Sequence, residues 1–317
     1  MVAIRAARER IADVAVRTPL VRLDVDEAPG DVWLKLENLQ PVGSFKLRGA
    51  ANAMRVAPPG ELRGGVYTAS AGNMAQGVAW MARAMGVPCT VIVPEGAPRA
   101  KLDAIARLGA RTMRVPFAEW WQTMTDHGHA DAPGRFVHPF ADADVMAGNG
   151  TIGLEIVEDL PDVDAVFVPY GGGGLACGIA SAMRHLRPAA RVFACEPSTA
   201  APLAASLAAG EPLSIERTAS FIDGCGGMSV FREMWPLAST LLAGSLTVTP
   251  AEVASAVRLL AERTRIVAEG AGAVPVAAAL RGSATGERAL GGTVVCIVSG
   301  GNIDAATLAT ILGGGVP

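Results

Sequence analysis

Ala165-Val166-Phe167-Val168-Pro169-Tyr170-Gly171-Gly172-Gly173-Gly174-Leu175 is the stretch on which the reading of the fold turns. From Ala165 to Met183 the chain carries no charge over 19 residues, long enough to suggest a membrane span. Pro169 and the four consecutive glycines break that run in its middle. A buried strand at Ala165–Val168, a loop, and a helix from Leu175 to Leu186 fit better. A further apolar run, Arg191–Cys195, reads as the next strand, and strand–helix–strand is the unit of a parallel sheet. The loop has chemistry of its own. Its glycines let several backbone N–H groups turn toward one point, and the helix N-terminus adds partial positive charge there, which makes a phosphate cup. No Gly-Lys-Ser/Thr follows, so it is not a P-loop. Gly171, Gly173 and Ala176 do fit the looser G-x-G-x-x-A pattern, and Glu196 stands about 20 residues on, where a ribose-binding acid would sit.

Outward from this unit, strand-like and helix-like stretches alternate, which favours an α/β architecture with mostly parallel sheets. Val32–Glu37 reads as a strand, Phe45–Val56 as a helix and Ala57-Pro58-Pro59-Gly60 as its end. Val66-Tyr67-Thr68 leads into a helix from Met74 to Ala84, and Val87–Val93 is a buried strand. Pro98 opens a helix that Gly109 closes. Thr249-Pro250-Ala251-Glu252 is a capping box starting a helix to Thr264, and Thr293–Val298 is a last strand. At the N-terminus, Ile4, Ala7, Ile11 and Val14 line one helical face, and Arg5, Arg8, Glu9 and Arg10 exclude a signal peptide. The 317 residues suggest two domains at about 150 residues each. A net charge of −3 with scattered arginines argues against nucleic-acid binding, and no membrane segment is expected. Cys89, Cys177, Cys195, Cys225 and Cys296 have no CxxC spacing and read as buried apolar residues in a reducing, cytoplasmic setting.

Lys46 lies in Gly43-Ser44-Phe45-Lys46-Leu47-Arg48-Gly49-Ala50, after Glu37-Asn38-Leu39-Gln40-Pro41. A lysine drawn into the protein between a strand and a helix has a lowered pKa and a free lone pair, which suits it to Schiff-base chemistry with a carbonyl cofactor. This segment resembles the cofactor-lysine segment of the pyridoxal-phosphate threonine and serine dehydratases, a family that includes serine racemase. On the window 165–196 alone, a nicotinamide dinucleotide and the pyridoxal phosphate group are equally supported. Three further blocks decide between them. Ser70-Ala71-Gly72-Asn73-Met74-Ala75-Gln76-Gly77 resembles the family loop that holds the substrate carboxylate beside the cofactor ring. A plain N-cap at Asn73, with Gln76 as its capping-box partner, is the purely structural role open to those residues. Ser299-Gly300-Gly301-Asn302 resembles the turn whose serine hydroxyl meets the pyridine nitrogen. Glu269-Gly270-Ala271-Gly272-Ala273 is similar to a family stretch whose small residues suit close packing, with Glu269 structural.

The resemblance implies a fold type II enzyme: two open, twisted α/β domains with pyridoxal 5'-phosphate in the cleft between them. It implies a discontinuous large domain at 1–50 and 147–317, a small substrate-side domain at 51–146, and no C-terminal regulatory domain. Lys46 would be catalytic. Phe45, Lys46, Asn73, Gly171, Gly172, Gly173, Gly174, Leu175 and Ser299 would bind the cofactor, and Ser70, Ala71, Gly72, Asn73 and Met74 the substrate. The implied reaction is β-elimination from a β-hydroxy amino acid such as L-threonine or L-serine, giving a 2-oxo acid and ammonia. The implied assembly is a homodimer or homotetramer.

Departures from the family pattern concern the substrate rather than the cofactor. Met74 stands where histidine is usual, Asn149 where glutamine is, and Ala141 where an aspartate is expected after His138-Pro139-Phe140. The stretch 221–227 matches only loosely. Some relatives bind a divalent cation through a glutamate, a backbone carbonyl and an aspartate. Glu196 and Ala200 match the first two but Pro202 takes the aspartate position, so no tight cation is expected. His127-Gly128-His129 lacks a third ligand nearby and reads as a polar helix end or loop. In serine racemase a serine just before Gly-Asn supplies the second acid; Ala71 stands at the matching place, which favours elimination over racemisation. A β-replacement enzyme of the same fold and an NAD(P)-dependent oxidoreductase compete with that reading.

Overall fold

The computed structural model, which describes every residue except Glu27, Pro29, Pro59 and 285–291, resolves the alternation into two sheets. In chain order the strands are β1 (Leu20–Arg22), β2 (Asp31–Lys35), β3 (Val66–Ala69), β4 (Cys89–Pro94), β5 (Arg111–Val115), β6 (Arg135–Phe136), β7 (Ala165–Pro169), β8 (Arg191–Pro197), β9 (Ser245–Val248) and β10 (Thr293–Ile297). The α-helices are α1 (Val2–Ile11), α2 (Lys46–Val56), α3 (Asn73–Met85), α4 (Arg99–Arg107), α5 (Phe117–Thr125), α6 (Ala143–Asp159), α7 (Gly174–Leu186), α8 (Pro202–Ala209), α9 (Trp235–Leu241), α10 (Pro250–Leu259), α11 (Gly270–Ala284) and α12 (Ala305–Leu312).

The chain packs as two compact units, one of Met1, Arg17–Leu39 and Gly150–Pro317, the other of Val2–Val16 and Gln40–Asn149. This partition puts Val2–Val16 and Gln40–Ala50 with the smaller sheet, whereas the expectation had 1–50 in the larger domain. Packing explains the difference, because Ile11 of α1 and Ala50 and Met54 of α2 share one apolar core with Met74, Val78 and Met81 of α3.

In the larger unit the sheet order is β1-β2-β10-β7-β8-β9, with β1 antiparallel to β2 and the other neighbours parallel. Every residue of β7 is buried, as are Val294–Ile297 of β10, so these strands read in sequence as unbroken apolar runs. Cys296 of β10 pairs with Phe167 of β7, so their carboxyl ends, and the loops that follow, are neighbours. Leu34, Phe167, Cys195, Val257, Val274 and Cys296 belong to the core on this sheet.

In the smaller unit the parallel order is β5-β4-β3-β6. β3 feeds α3 and then β4 on one side, while β6 pairs on the other through Val66 with Arg135 and Tyr67 with Phe136. The loops after β3 and β6 therefore meet at a topological switch point, the place where open parallel sheets bind ligands.

Several local expectations hold in detail. Ile4, Ala7 and Ile11 are buried on α1. Pro98 is the N-cap of α4, and Gly109 beyond its end has φ +85°. Thr249 and Glu252 form the capping box of α10. That helix passes into a π-turn over Leu260–Thr264, closed by Arg265 at φ 63°. Val56 ends α2, and Pro59 of the expected helix end lies outside the described residues. All five cysteines are free and buried. Among the described residues no helix is long and apolar enough to cross a membrane.

Candidate active site

The chain has three lysines, Lys35, Lys46 and Lys101. Lys35 is fully buried on β2, where its Nζ donates to the carbonyl of Thr18 and to Glu155 Oε2, both at 2.6 Å. A charge so paired is costly to release. Lys101 lies on α4. Lys46 is different. It is the first residue of α2, half-buried, and its Nζ donates to the carbonyl of Pro139 at 2.7 Å. The same ammonium lies 5.1 Å from the centre of the Phe45 ring. A neutral carbonyl and an aromatic face thus orient the amine.

The loop after β3 supplies the second element. Ser70 Oγ accepts from the Gly72 N–H at 3.2 Å, a local turn that shapes the approach to α3. The N-cap of α3 is Gly72, not Asn73, and no side chain caps it. The Asn73 N-cap is therefore not realised: Asn73 is the first helical residue, and Gln76 donates its backbone N–H to Gly72 O at 3.3 Å. A Cβ on Gly72 would meet nothing within 4 Å, so the helix start is open to an incoming group. Backbone amides with a helix dipole behind them attract a carboxylate. Ala71 is half-buried beside this opening. Met74 is not: at 1 % exposure it is packed in the apolar core with Ala75 and Val78, so its side chain is spent on folding and not offered to a ligand.

In the larger unit, Tyr170 and Gly171–Gly173 join β7 to α7. Gly173 is the N-cap of this 13-residue helix, in the left-handed region at φ +93°, and no side chain caps it. A Cβ there would sit 3.1 Å from Tyr170 Oη and 3.2 Å from Met234 Cε, so only glycine fits. Gly174 and Leu175 are buried in the first turn of α7. Tyr170 is 1 % exposed, and its hydroxyl has no hydrogen-bond partner among the described residues. Burial pushes that phenol far up, so it is neutral. Backbone-only donors at an uncapped helix start, on a loop made of glycine, fit a phosphate well.

Ser299 follows β10 and is buried. The pairing of β10 with β7 brings the Ser299 turn and the glycine loop to the same edge of the sheet. The turn is braced from behind: Glu269 N donates to Gly300 O at 3.0 Å, and a Cβ on Gly272 would come within 2.6 Å of that oxygen. The small residues of Glu269–Ala273 therefore serve a close backbone approach.

Glu196 does not await a ribose. It is fully buried at the end of β8, and its carboxylate accepts from Leu203 N (2.9 Å), Ala204 N (2.8 Å) and Ser245 Oγ (2.6 Å). Pro202, which removes the expected aspartate, opens α8, whose first-turn amides hydrogen-bond Glu196. Burial raises this carboxyl's pKa, and the three hydrogen bonds oppose that rise. His129 Nε2 contacts Glu119 Oε1 at 2.8 Å, but the expectation that no third ligand stands near His127 and His129 does not hold, because the His127 ring lies 4.6 Å from that of His138.

The sequence missed two contributors, Pro139 and Tyr170. A backbone carbonyl 93 residues from its lysine leaves no local signal, and Tyr170 belongs to none of the motifs.

The model of the family described as pyridoxal-phosphate dependent enzyme matches residues 11–300. The chain is 40 % identical over 317 residues to an L-threonine ammonia-lyase of Geobacter sulfurreducens, covering 98 % of this chain and 77 % of that protein. Among solved structures it resembles serine racemase from Dictyostelium discoideum, with a TM-score of 0.86 at 34 % identity, covering 95 % and 98 % of the two chains. It also resembles the processed form of threonine deaminase isoform 2 from Solanum lycopersicum, with a TM-score of 0.88 at 31 % identity over 98 % and 91 %.

Proposed function

The chain belongs to the family of pyridoxal-phosphate-dependent enzymes, with the fold type II architecture, and from that premise we propose β-elimination as its reaction. The substrate is a β-hydroxy amino acid, L-threonine or L-serine first among them, and the products are a 2-oxo acid and ammonia. The observation that carries the reading is Lys46 held by a neutral carbonyl beside an uncapped helix start, in a chain whose relatives along nearly its whole length include threonine ammonia-lyases.

Pyridoxal phosphate, when bound, supplies the electron sink that makes an α-proton removable. Lys46 would hold it covalently beside Phe45 and Asn73. Gly171–Gly174 and Leu175 would receive its phosphate, and Ser299 would face its ring nitrogen. The residues of the chain divide the remaining work. The open start of α3, at Ser70–Asn73, takes the substrate carboxylate and so fixes which hydrogen faces the Lys46 amine. That amine is the base that moves the α-proton. A hydroxyl at Ser299, in place of a carboxylate, leaves the ring nitrogen without a strong proton donor, which favours prompt loss of the β-hydroxyl over a long-lived anion.

The likeness to serine racemase favours racemisation as a second reading. Ala71 opposes it, because a methyl cannot donate a proton from the opposite face. The same proposal assigns a substrate-side role to 51–146, a cofactor-binding role to the rest and a cytoplasmic setting, supported by five unpaired thiols. It includes a homodimer or homotetramer, on the family resemblance, and no tight cation, supported by the spent carboxylate of Glu196.

The test is an ammonia-release screen across β-hydroxy amino acids of both stereochemistries, with product identification and with sulfide present or absent. Ammonia and 2-oxo acid in equal amounts from L-threonine or L-serine are expected. D-amino acid without ammonia would assign a racemase, and a sulfide-dependent product a β-replacement enzyme.

A further inference from the structure

We propose that His138 is a positioning residue for Lys46 and acts through the carbonyl of Pro139. His138 enters just after β6 and is 2 % exposed. Its Nδ1 accepts two backbone N–H groups, those of Phe140 at 3.1 Å and Ala141 at 2.8 Å. Two donors on one nitrogen require a bare lone pair there, so the ring proton sits on Nε2. Nε2 faces the carbonyl of Met124 at 3.1 Å and donates to it. The ring is thus locked in one tautomer and bolted to α5 on one side and to its own turn on the other.

The consequence falls on Pro139. Its φ is fixed by the pyrrolidine ring, and the amides of the next two residues are tied back to His138, so its carbonyl has little freedom to turn. That carbonyl accepts the Lys46 Nζ hydrogen bond at 2.7 Å. Phe136 and Phe140 close on the imidazole edge-on, with ring centres 5.6 and 4.6 Å away. His127, whose ring centre is 4.6 Å off, and Lys46 both disfavour a charge on it. Burial first, then His127, holds the His138 pKa down at about 3, so the ring stays neutral and keeps both bonds. A histidine here can therefore aim a carbonyl without itself exchanging protons. This proposal rests on Lys46 being the cofactor lysine.

The experiment compares His138→Leu, which keeps apolar bulk, with His138→Asn, whose amide oxygen can replace Nδ1 as acceptor. For each, pyridoxal phosphate is added to the apo protein, attachment at position 46 is followed by absorbance and by mass after borohydride, and kcat and KM are measured. His138→Leu should slow attachment and lower kcat by about tenfold to a hundredfold, the effect of misplacing a reacting group by an ångström, with KM little changed. His138→Asn should recover most of both. A folded Leu variant with wild-type attachment and kcat overturns the proposal, as do Leu and Asn variants impaired equally. Should His138→Leu not fold, 15N-histidine spectra of the wild-type holoenzyme decide. One ring must show a bare Nδ1 and a protonated Nε2, unchanged between about pH 5 and 9, whereas a ring that titrates or carries its proton on Nδ1 overturns the proposal. Wild-type protein with no adduct at position 46 would instead defeat the cofactor-lysine reading itself and remove the basis of this one.

Discussion

Gly77 of α3 lies against the backbone of Lys46: a Cβ built on it would come 3.2 Å from both the carbonyl carbon and the carbonyl oxygen of Lys46. The helix whose open start is proposed to receive the substrate carboxylate is thereby pressed directly onto Lys46. Gly77→Ala should cost about 1–3 kcal/mol of stability, the range for overpacking a tight contact, because the atoms in the way are backbone. It should lower kcat as well. Urea denaturation and steady-state kinetics check both, and an unchanged kcat would mean that the contact does not place the amine.

Gly173→Ala combines two penalties, the left-handed φ of +93° and contact with Tyr170 Oη and Met234 Cε. The conformational part alone is about 1–2 kcal/mol for a residue with a Cβ. A loop that shifts to relieve these penalties moves its amides off the phosphate position, and a loss of cofactor affinity of roughly tenfold is expected, which corresponds to about 1.4 kcal/mol. Titration of the apo protein with pyridoxal phosphate measures it. Unaltered affinity would show that the phosphate does not use this loop.

Much of this was legible in the sequence, for a physical reason. β7, β8, β10, β3 and β4 sit inside sheets, so their apolar runs are nearly continuous. β5, Arg111–Val115, is an edge strand whose residues are mostly exposed, and its arginines hid it. α11 was hidden by Gly270, Gly272 and Pro275, which argue against a helix until the close approach of Gly272 to Gly300 is seen. The site divides in the same way. Lys46 and the glycine loop are local motifs, so the candidate site could be proposed from them directly. The Pro139 carbonyl and the Gly77 contact are backbone features brought from elsewhere in the chain, for which no residue type is a marker. Met74, the second residue of α3, turns its side chain into the core, which its place beside the open helix start does not announce.

Ala71 tests the choice between elimination and inversion. Ala71→Ser puts a hydroxyl beside the open start of α3, where a second acid would stand. A rise in the D/L ratio of recovered serine is expected, with elimination retained. Chiral chromatography reads the ratio, and no change would count against assigning the missing acid to this position.

Glu196 gives a pH dependence of stability. Burial raises its folded-state pKa above the unfolded value of about 4.3, so within that window the folded protein holds more protons than the unfolded one. Its contribution to stability therefore falls as pH rises through the window and is largest at the acid end. Glu196→Gln should flatten this part of the curve, although it also unbalances the amides of α8 and lowers stability at neutral pH. Urea midpoints collected across the window check the slope, and an unaltered slope in the variant would place the titration elsewhere.

The most direct measurement is peptide mass analysis of the protein after reconstitution with pyridoxal phosphate and reduction with borohydride. With three lysines in the chain the outcome is unambiguous. A single pyridoxyl group on Lys46 is the predicted result. Label on Lys35 or Lys101, or no label at all, would contradict the account.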